Sequence, residues 1–488
     1  MFKLRRKPLQ LLIACALASG AFGTARADDT SEMKAKLEQL EQQIEALKAQ
    51  MQQMSSQAQP QRSASAAPMV AQKPGSKLTF DVGGGEVTFY GHIDVSVDSM
   101  DNGLSGFVSA GGASPAGTVP VGKNGALTQV SSNLSYFGVR GSRAISNDLK
   151  GVFQFETQID VSDTPGANPQ APDVSAQKSA LGSRNSFVGL QASWGAVKIG
   201  KTDAPYKTST GRMDPFSASV GDYNSIMANS GGDNRAEFDT RVPHSIWYES
   251  PRFNGVNVGI LYSPGQNRSD TNDVIARGEP DCTGGNSPGP CTDGAFGDLT
   301  SLSATYTGGP LYAIAAYENH SKVNRSGDDP TPGAVGVADE NAFKIGAQYK
   351  FATKTTLNVI FERLHRDAPV ADYNERSHNA SWIAVTQKIS KDNDLNFGWA
   401  HAGKTPGDPG AGPIDNVANM YALGFKHHFE DKQTTWYLVA AEQKNHLGAH
   451  YDLGASGHGI VVDDKDAAGT NFSGTTLKAI STGLQYNF

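Results

Sequence analysis

The feature that most constrains the fold is a strict alternation of apolar and polar residues over long segments. In EVTFYGHIDVSVDSM, residues 86–100, every second side chain from Val87 to Val97 is apolar or glycine, and the side chains between them are polar. A period of two predicts a β-strand with one apolar face. Twelve alternating residues exceed the five or six of an ordinary strand and match a tilted strand that crosses a membrane.

Sixteen segments with this character follow one another along the chain. They lie near residues 86–99, 132–143, 148–160, 184–193, 195–203, 243–250, 254–263, 299–308, 310–320, 341–351, 354–365, 378–389, 392–403, 416–429, 432–444 and 476–488. Short turns and long loops alternate between them, which is typical of outer-membrane barrels. We therefore predict an all-β membrane fold, a 16-stranded antiparallel transmembrane β-barrel over residues 86–488. The alternative is a series of soluble β-sandwich or propeller domains, which favours shorter loops.

The part of the chain before the barrel has three different patterns. Residues 1–27 combine a basic start, an apolar run and the tripeptide Ala-Arg-Ala, which predicts a cleaved signal peptide; an uncleaved anchor and lipidation at Cys15 are the alternatives. In residues 31–54 apolar side chains recur at spacings of three and four, which predicts a short α-helical coiled coil. Residues 55–85 begin with a stretch rich in Ser, Ala, Gln and Pro and are predicted to be a flexible linker.

Composition excludes several classes of function. Removing the five basic residues of the signal peptide from the 42 in the chain leaves 37 against 49 acidic residues, a net charge of −12. Because no basic excess remains, a nucleic-acid partner is not expected. No phosphate-binding glycine loop or serine nucleophile elbow is present, so we predict no enzyme, no catalytic residues and no cofactor.

Two motifs in predicted loops could form a disulfide or a cation-binding site. Cys282 and Cys291 lie in a Gly/Pro-rich stretch, and export to an oxidising compartment predicts a disulfide between them. A metal site would need additional ligands, which are not adjacent. The acidic group Asp463, Asp464 and Asp466 could hold a cation, but a solvated loop is the simpler interpretation, so we predict no metal site.

Alternation also assigns residues to the inner face of the predicted barrel. On this basis we expect His92, Asp94, Asp98, Lys344, Glu362 and Lys426 to point inward. A ladder of basic residues from consecutive strands is expected to line one wall of a pore; its members are Arg140, Lys150, Arg184, Lys198 and Lys201.

Six strings along the barrel region resemble the general porins of Gram-negative bacteria, especially the beta-proteobacterial type. They are VTFYGHID at 87–94, YFGVRGSRAISNDLKGVFQFE at 136–156, RNSFVGLQASWGAVKIGK at 184–201, DPFSASVGDYNSIM at 214–227, HSIWYESPRFNGVNVGILY at 244–262 and TGLQYNF at 482–488. The position of Tyr136 is often basic in such porins, so one wall charge is missing here. The N-terminal heptads resemble those of dicarboxylate-channel-type porins, which carry a periplasmic coiled coil.

The resemblance implies a homotrimer and a third loop, about 204–242, that folds inward as a constriction. Acidic residues expected on or beside that loop, facing the basic ladder, are Asp203, Asp214, Asp222, Asp233, Glu237 and Asp239. The alternative is that they pair structurally to hold the loop in place. The resemblance also implies that Tyr486 and Phe488 form the signal read by the outer-membrane assembly machinery.

These observations together predict a porin in the cell outer membrane, a water-filled channel for passive diffusion of ions and small hydrophilic solutes. Its partners would be outer-membrane lipid and lipopolysaccharide, the assembly machinery and the solutes themselves. The alternative is a structural outer-membrane anchor whose periplasmic coiled coil contacts peptidoglycan or a partner protein. Because the third loop also contains basic residues such as Lys207 and Arg212, the sign of ion selectivity stays open at this point.

Overall fold

A computed structural model describes most of the barrel region of this 488-residue chain. The described residues are 70–72, 78–101, 107–109, 120–122, 127–162, 181–227, 238–264, 296–324, 337–367, 377–406, 415, 417–446, 449, 451–454 and 474–488, and they belong to a compact unit that begins at Met69. Several predicted features lie outside the described residues: the signal peptide 1–27, the coiled coil 31–54, the cysteines Cys282 and Cys291, the acidic residues Asp233 and Glu237, and the acidic group 463–466.

Among the described residues, strands make up nearly all of the regular structure. In chain order they are β1 (Val70–Gln72), β2 (Thr79–Val82), β3 (Gly85–Asp101), β4 (Phe107–Ser109), β5 (Pro120–Gly122), β6 (Leu127–Ser132), β7 (Tyr136–Ala144), β8 (Lys150–Gln158), β9 (Ser186–Ala192), β10 (Gly195–Asp203), β11 (Arg241–Glu249), β12 (Val256–Ser263), β13 (Asp298–Gly308), β14 (Leu311–Asn324), β15 (Val337–Lys350), β16 (Thr355–Arg366), β17 (His378–Lys388), β18 (Asn393–Ala402), β19 (Ala418–His428), β20 (Thr434–Asn445) and β21 (Thr476–Asn487).

The helical elements of the described residues are short. They are α1 (Pro205–Thr208) and two 3₁₀ turns, Gly211–Met213 and Tyr223–Ser225, all between β10 and β11. In the described part of the chain, no helix combines the length and the hydropathy needed to cross a membrane.

The strands close into an antiparallel barrel because the last strand, β21, pairs with the first long strand, β3. β21 pairs with β3 from Lys478↔Asp101 to Asn487↔His92. On its other edge β3 pairs with β6 and then β7, and each later strand pairs with the next. Counting β6 and β7 as one interrupted strand, β3, this strand and the fourteen from β8 to β21 make sixteen. The predicted 16-stranded antiparallel barrel is confirmed.

The second barrel strand differs from its predicted form, which was one segment over 132–143. It begins earlier, at Leu127, and is interrupted between Ser132 and Tyr136. At the interruption the backbone of Leu134 has a φ of 54°. The buried side-chain amide of Asn133 donates a hydrogen bond to Asp94 Oδ1 (3.1 Å). The side-chain hydrogen bonds therefore replace strand pairing locally, which alternation of residue types does not reveal.

Part of the predicted linker is also strand. β2 pairs with β3, with Thr79 opposite Thr88 and Val82 opposite Gly85, and β1 pairs with β2. This pairing extends the sheet along the portion of β3 that lies beyond the end of β21. The backbone of Phe89 donates to the carbonyl of Leu78 (3.0 Å), so a strand edge that the barrel leaves open is covered.

Alternation separates the two faces of the barrel wall as predicted. Large apolar side chains such as Phe155, Ile199 and Leu423 are exposed on the outer face, at 53, 56 and 54% of their full accessible area. Inward neighbours such as Glu156 and Ala422 are buried. An apolar outer face with a polar or small inner face is the arrangement that suits a barrel surrounded by lipid.

The two ends of the barrel differ in the length of their connections. Short turns occupy 145–149, 193–194, 250–255, 309–310, 351–354, 389–392 and 429–433. The intervening connections are longer, and the connection between β10 and β11, residues 204–240, contains all of the helical turns named above. The predicted alternation of short and long connections is confirmed.

Candidate functional site: the barrel interior

The segment 204–227 after β10 packs inside the barrel. Its apolar side chains form one buried cluster with inward-facing residues of β14 and β16–β21. The members from the segment are Met213, Phe216, Val220, Tyr223, Ile226 and Met227. The indole of Trp382 on β17 donates to the carbonyl of Met213 (3.2 Å), and its ring centroid lies 6.3 Å from that of Phe216. The segment is therefore attached to one wall of the barrel.

Small residues on the inner face of that wall make room for Phe216. A Cβ added to Gly398 on β18 would lie 2.9 Å from the Phe216 ring, and one added to Gly424 on β19 would lie 2.8 Å from it. Such distances are shorter than van der Waals contact, so larger side chains at these two positions would displace the ring. Glycine and alanine at inward positions of the wall therefore form the surface against which the segment packs.

A second anchor consists of buried polar residues on β15 and β16. Lys344 Nζ lies 2.9 Å from Asp239 Oδ1, donates to Thr210 Oγ1 (2.8 Å), and sits 3.9 Å from the ring centroid of Tyr206. The hydroxyl of Tyr206 donates to Glu362. Because these groups are buried, each depends on its partner to offset the cost of leaving water.

Two acidic residues of the segment hold its own backbone. Asp214 accepts hydrogen bonds from the amides of Phe216 (2.8 Å) and Tyr223 (3.2 Å). Asp222 accepts from the amides of Ala218 (2.7 Å) and Asn224 (2.9 Å). Burial raises the pKa of both carboxyl groups, and for Asp214 the nearby charge of Asp222 raises the pKa further. These contacts stabilise the turns of the segment.

Asp203 ends β10 and pairs with one cation from each end of the connection that follows it. Its Oδ1 lies 3.2 Å from Lys207 Nζ and 3.3 Å from Arg241. The four described residues of the predicted acidic set therefore have close partners: Asp203, Asp214, Asp222 and Asp239. This agrees with the alternative in which such acids hold the segment in place, and their role in facing a channel stays a prediction.

The opposite wall of the interior carries basic residues on β7, β8 and β10. Arg140 and Lys150 lie at inward positions of their strands and are exposed. The guanidinium of Arg140 lies 5.0 Å from the ring centroid of Tyr90. A cavity of about 380 Å³ lies here, and Arg140, Gln154 and Lys198 are among the residues that line it.

The remaining members of the predicted basic ladder differ in their surroundings. Arg184 Nε lies 2.5 Å from Glu156 Oε1, and Lys198 Nζ lies 2.8 Å from Glu249. Lys201 lies two residues after Ile199, which points to the outer face of β10. The β10–β11 pairing shifts between Gly200 and Thr202, so Lys201 lies at a β-bulge. The ladder thus divides into exposed cations, cations paired with carboxylates, and one residue at a bulge.

Of the other residues expected to point inward, Asp94 and Asp98 on β3 are fully buried in hydrogen-bond networks. Asp94 accepts from Tyr437 (2.9 Å) and Gln485 (2.7 Å), and Asp98 accepts from Ser131 (2.5 Å). Lys344 and Glu362 are the anchors described above, whereas His92 and Lys426 are partly exposed.

The predicted assembly residues lie at the closing seam. Phe488 exchanges backbone hydrogen bonds with Gly91, and the rings of Tyr486 and Phe488 are stacked with centroids 5.9 Å apart. Tyr486 is exposed on the outer face of β21. Recognition of these residues by the assembly machinery stays a prediction.

The sequence analysis did not identify the wall surface against which the inner segment packs. Its signal is nevertheless present, as small residues at most of the inward positions of three strands. These residues are Ala380 and Ala384 on β17, Gly398, Ala400 and Ala402 on β18, and Ala418, Ala422 and Gly424 on β19. Inward positions of a wide barrel can carry large polar side chains, so a run of small ones indicates that another part of the chain approaches the wall.

Comparison with known proteins agrees with this architecture. The profile of a family described as Gram-negative porin matches residues 62–448. An outer membrane porin protein of Bordetella pertussis is 29% identical over 217 residues, which cover 44% of this chain and 50% of that protein. A major outer membrane protein P.IA of Neisseria meningitidis is 28% identical over 182 residues, or 37% of this chain and 42% of that protein. The chain thus matches about half the length of these curated relatives.

Solved structures show the same fold at low sequence identity. An anion-selective porin from Comamonas acidovorans superposes with a TM-score of 0.57 at 17% identity, covering 83% of this chain and all of that one. An outer membrane protein of Vibrio cholerae superposes with a TM-score of 0.51 at 14% identity, covering 83% of this chain and 98% of that one. The family profile spans most of the barrel and the fold is that of solved porins: the chain belongs to the Gram-negative porin family.

Proposed function

We propose that the protein is an outer-membrane channel for passive diffusion of ions and small hydrophilic solutes, constricted by the segment 204–242 and selective for anions. Family membership, the closed barrel and its apolar outer face support the placement in the membrane. A sixteen-stranded barrel is wide enough for water and small solutes, and an inner segment attached to one wall narrows the passage.

The anion preference is inferred from the charged side chains that remain exposed inside the barrel, because most of these are basic. In the described part of the segment, Asp214, Asp222 and Asp239 are buried and Arg212 is exposed. Lys207 is partly exposed and pairs with Asp203 (3.2 Å). Arg212 is held in place by Gln348 Oε1 (3.0 Å) and by the ring of Tyr312, whose centroid is 4.3 Å away. Across the interior, Arg140 and Lys150 are exposed as well.

Two walls that both present cations create a positive potential in the passage. Two carboxylates on the basic wall are paired with cations, since Glu156 binds Arg184 and Glu249 binds Lys198. Glu86 is the one acidic residue that lines the cavity beside Arg140. Charges that line a pore set the sign of its selectivity because they raise the local concentration of counter-ions. The anion selectivity named for the Comamonas acidovorans porin is a property of that protein, and its shared fold is consistent with this proposal.

We further propose a homotrimer with the N-terminal coiled coil in the periplasm. The heptad spacing of residues 31–54 requires partner helices, and two further chains would supply them. The Vibrio cholerae protein that shares the fold has also been described in a trimer form. Outer-membrane lipid and lipopolysaccharide would surround the apolar outer face, and the assembly machinery would read the final strand.

The test is conductance of the purified protein in planar bilayers under a KCl gradient. We expect stepwise conductance in groups of three and a reversal potential displaced toward the chloride equilibrium value. A displacement toward the potassium value would overturn the anion preference, and the absence of any conductance would overturn the channel.

The alternative proposal is a structural anchor whose coiled coil contacts peptidoglycan or another protein. Deleting residues 31–54 distinguishes the two. Intact conductance with loss of envelope integrity or of trimer stability would show that the structural role accompanies the channel.

A further inference from the structure

One wall of the barrel interior carries two aromatic rings flanked by guanidinium groups. Tyr90 on β3 and Tyr136 on β7 have ring centroids 6.2 Å apart. The guanidinium of Arg140 lies 5.0 Å from the Tyr90 centroid, and that of Arg184 lies 4.6 Å from the Tyr136 centroid. Arg140, Tyr90, Tyr136 and Arg184 thus form a continuous row of contacts, which we call the mixed row.

The strand residues of the mixed row point into the barrel. Tyr90 has the same parity on β3 as the buried residue Asp94. On β7, Tyr136 and Arg140 lie two residues to either side of Gly138, which is directly opposite Tyr90. Both tyrosines are half-buried and Arg140 is exposed, so the mixed row presents part of its surface to the passage.

A glycine and a shared carboxylate hold the mixed row in position. A Cβ added to Gly138 would lie 2.3 Å from the Tyr90 ring, so the absence of a side chain there lets the ring lie close to the wall. The Tyr90 hydroxyl donates to Glu156 Oε2 (3.1 Å), and Arg184 Nε donates to Oε1 of the same carboxylate (2.5 Å). Tyr90 and Arg184 are therefore ordered before any solute arrives, which lowers the entropy cost of binding.

Most other inward-facing aromatic side chains of the described strands are buried. Examples are Trp247, Tyr312, Trp382 and Tyr437. The rings of Tyr90 and Tyr136 are thus among the few that a solute in the passage can touch.

We propose that the mixed row makes the channel selective for anions that carry an aromatic ring, with aromatic monocarboxylates as the preferred class. The exposed guanidinium of Arg140 offers the paired donors that suit a carboxylate. A ring attached to that carboxylate stacks on the tyrosines, whereas an aliphatic anion of equal charge gains only the contact with Arg140. The inference rests on the channel proposed above and narrows the class of its solutes.

One acidic residue limits the charge of the preferred solute. Glu86 is exposed and lines the cavity of about 380 Å³ beside Arg140. Lys198 lines the same cavity, but its ammonium group is already bound to Glu249 (2.8 Å). A second carboxylate on the solute would be repelled by Glu86, so the site favours one negative charge over two.

The test measures the permeability ratio of benzoate to cyclohexanecarboxylate for the full-length protein in planar bilayers. The two probes have the same charge and nearly the same size, and only benzoate has an aromatic ring. Reversal potentials with the potassium salt of one anion on each side of the bilayer give the ratio. Stacking on the tyrosines is expected to make benzoate about three- to tenfold more permeant.

Three variants, with their folds checked by heat-modifiable gel mobility, locate the preference. Y136L removes one ring of the mixed row while the hydrogen bond from Tyr90 to Glu156 stays possible, and it should lower the ratio toward one. Y136F keeps the ring and should keep the ratio. The matched control is Y317L, which removes a tyrosine ring that is 39% exposed on the outer face of β14 and should leave the ratio unchanged.

Equal permeability of the two anions through the unaltered protein would overturn the inference, and so would a preference that Y136L retains. Loss of the preference in Y136F as well as in Y136L would overturn the role of stacking, and isophthalate that permeates better than benzoate would overturn the assignment to monocarboxylates. Conductance in KCl is measured in parallel. A protein that does not conduct KCl would contradict the channel itself, whereas a conducting protein without a preference for benzoate would contradict only the role of the mixed row.

Discussion

Phe488 and Gly91 close the barrel by exchanging two backbone hydrogen bonds. The amide of Phe488 donates to the Gly91 carbonyl (3.1 Å), and the amide of Gly91 donates to the Phe488 carbonyl (3.0 Å). The Phe488 ring lies over Gly91 so closely that an added Cβ would stand 2.3 Å from it. The last residue of the chain thus completes the seam between the first and last strands, and only glycine leaves room for its ring.

G91A should therefore weaken the closing seam. The added methyl group forces the Phe488 ring to move, and overpacking of this kind costs about 1–3 kcal/mol. The measurement is the free energy of unfolding in urea of the purified protein in lipid vesicles. G151A is the matched control, because a Cβ on Gly151 would lie 3.6 Å from its nearest neighbour. Equal stabilities of the two variants would contradict the close packing at the seam.

F216A should loosen the inner segment. Phe216 is buried against Trp382 and the inward glycines, so its removal leaves a cavity that costs about 3–5 kcal/mol if the segment stays in place. Release of the segment would avoid part of this cost and widen the passage. We expect a higher single-channel conductance. The control F397A removes a ring from the outer face of β18, and an equal rise in its conductance would argue against the constriction.

K344M should destabilise the fold by leaving the buried carboxylate of Asp239 without its cation. Breaking a buried pair by removing one partner costs about 3–5 kcal/mol. Replacing both residues, as in K344M/D239L, should restore much of the lost stability because no unpaired charge remains. Thermal unfolding followed by circular dichroism measures both variants. A double variant no more stable than K344M would show that the ion pair is not the source of the loss.

R140E should reduce the preference for anions. Arg140 points inward and is exposed, and a unit charge acts on an ion about 4 Å away with about 1 kcal/mol in water-like surroundings. Reversing the charge should therefore lower the chloride-to-potassium permeability ratio by at least about fivefold. R143E is the control, because Arg143 is exposed but has the opposite parity on β7. Reversal potentials under a KCl gradient measure both, and an equal shift in R143E would count against the inward position of Arg140.

Several features of the barrel could be predicted from local pattern alone. Alternation with period two located all sixteen barrel strands, since the pleat of a strand sends successive side chains to opposite faces whatever the rest of the chain does. The same alternation indicates the inward parity of Arg140 and Lys150. It fails where the backbone departs from regular pairing, at the interruption around Asn133 and at the bulge next to Lys201.

The partners of the charged residues depended on the tertiary structure. Asp214 and Asp222 accept amides two to nine residues away in their own segment, so these contacts are local, although no strand pattern predicts them. Lys344 and Asp239 are 105 residues apart, and Trp382 and Met213 are 169 apart. These two long-range contacts exist only after the strands have closed and the segment has entered the barrel.

Local pattern thus predicts the strands, their number and the alternation of short and long connections, because the pleat of a strand and the chemistry of a turn involve neighbouring residues. The long-range partners of the buried charges, and the cations that stay exposed, depend on how the strands and the inner segment come together. Burial explains this, because a charge inside the barrel needs a partner that another part of the chain supplies, whereas Arg140, Lys150 and Arg212 remain exposed.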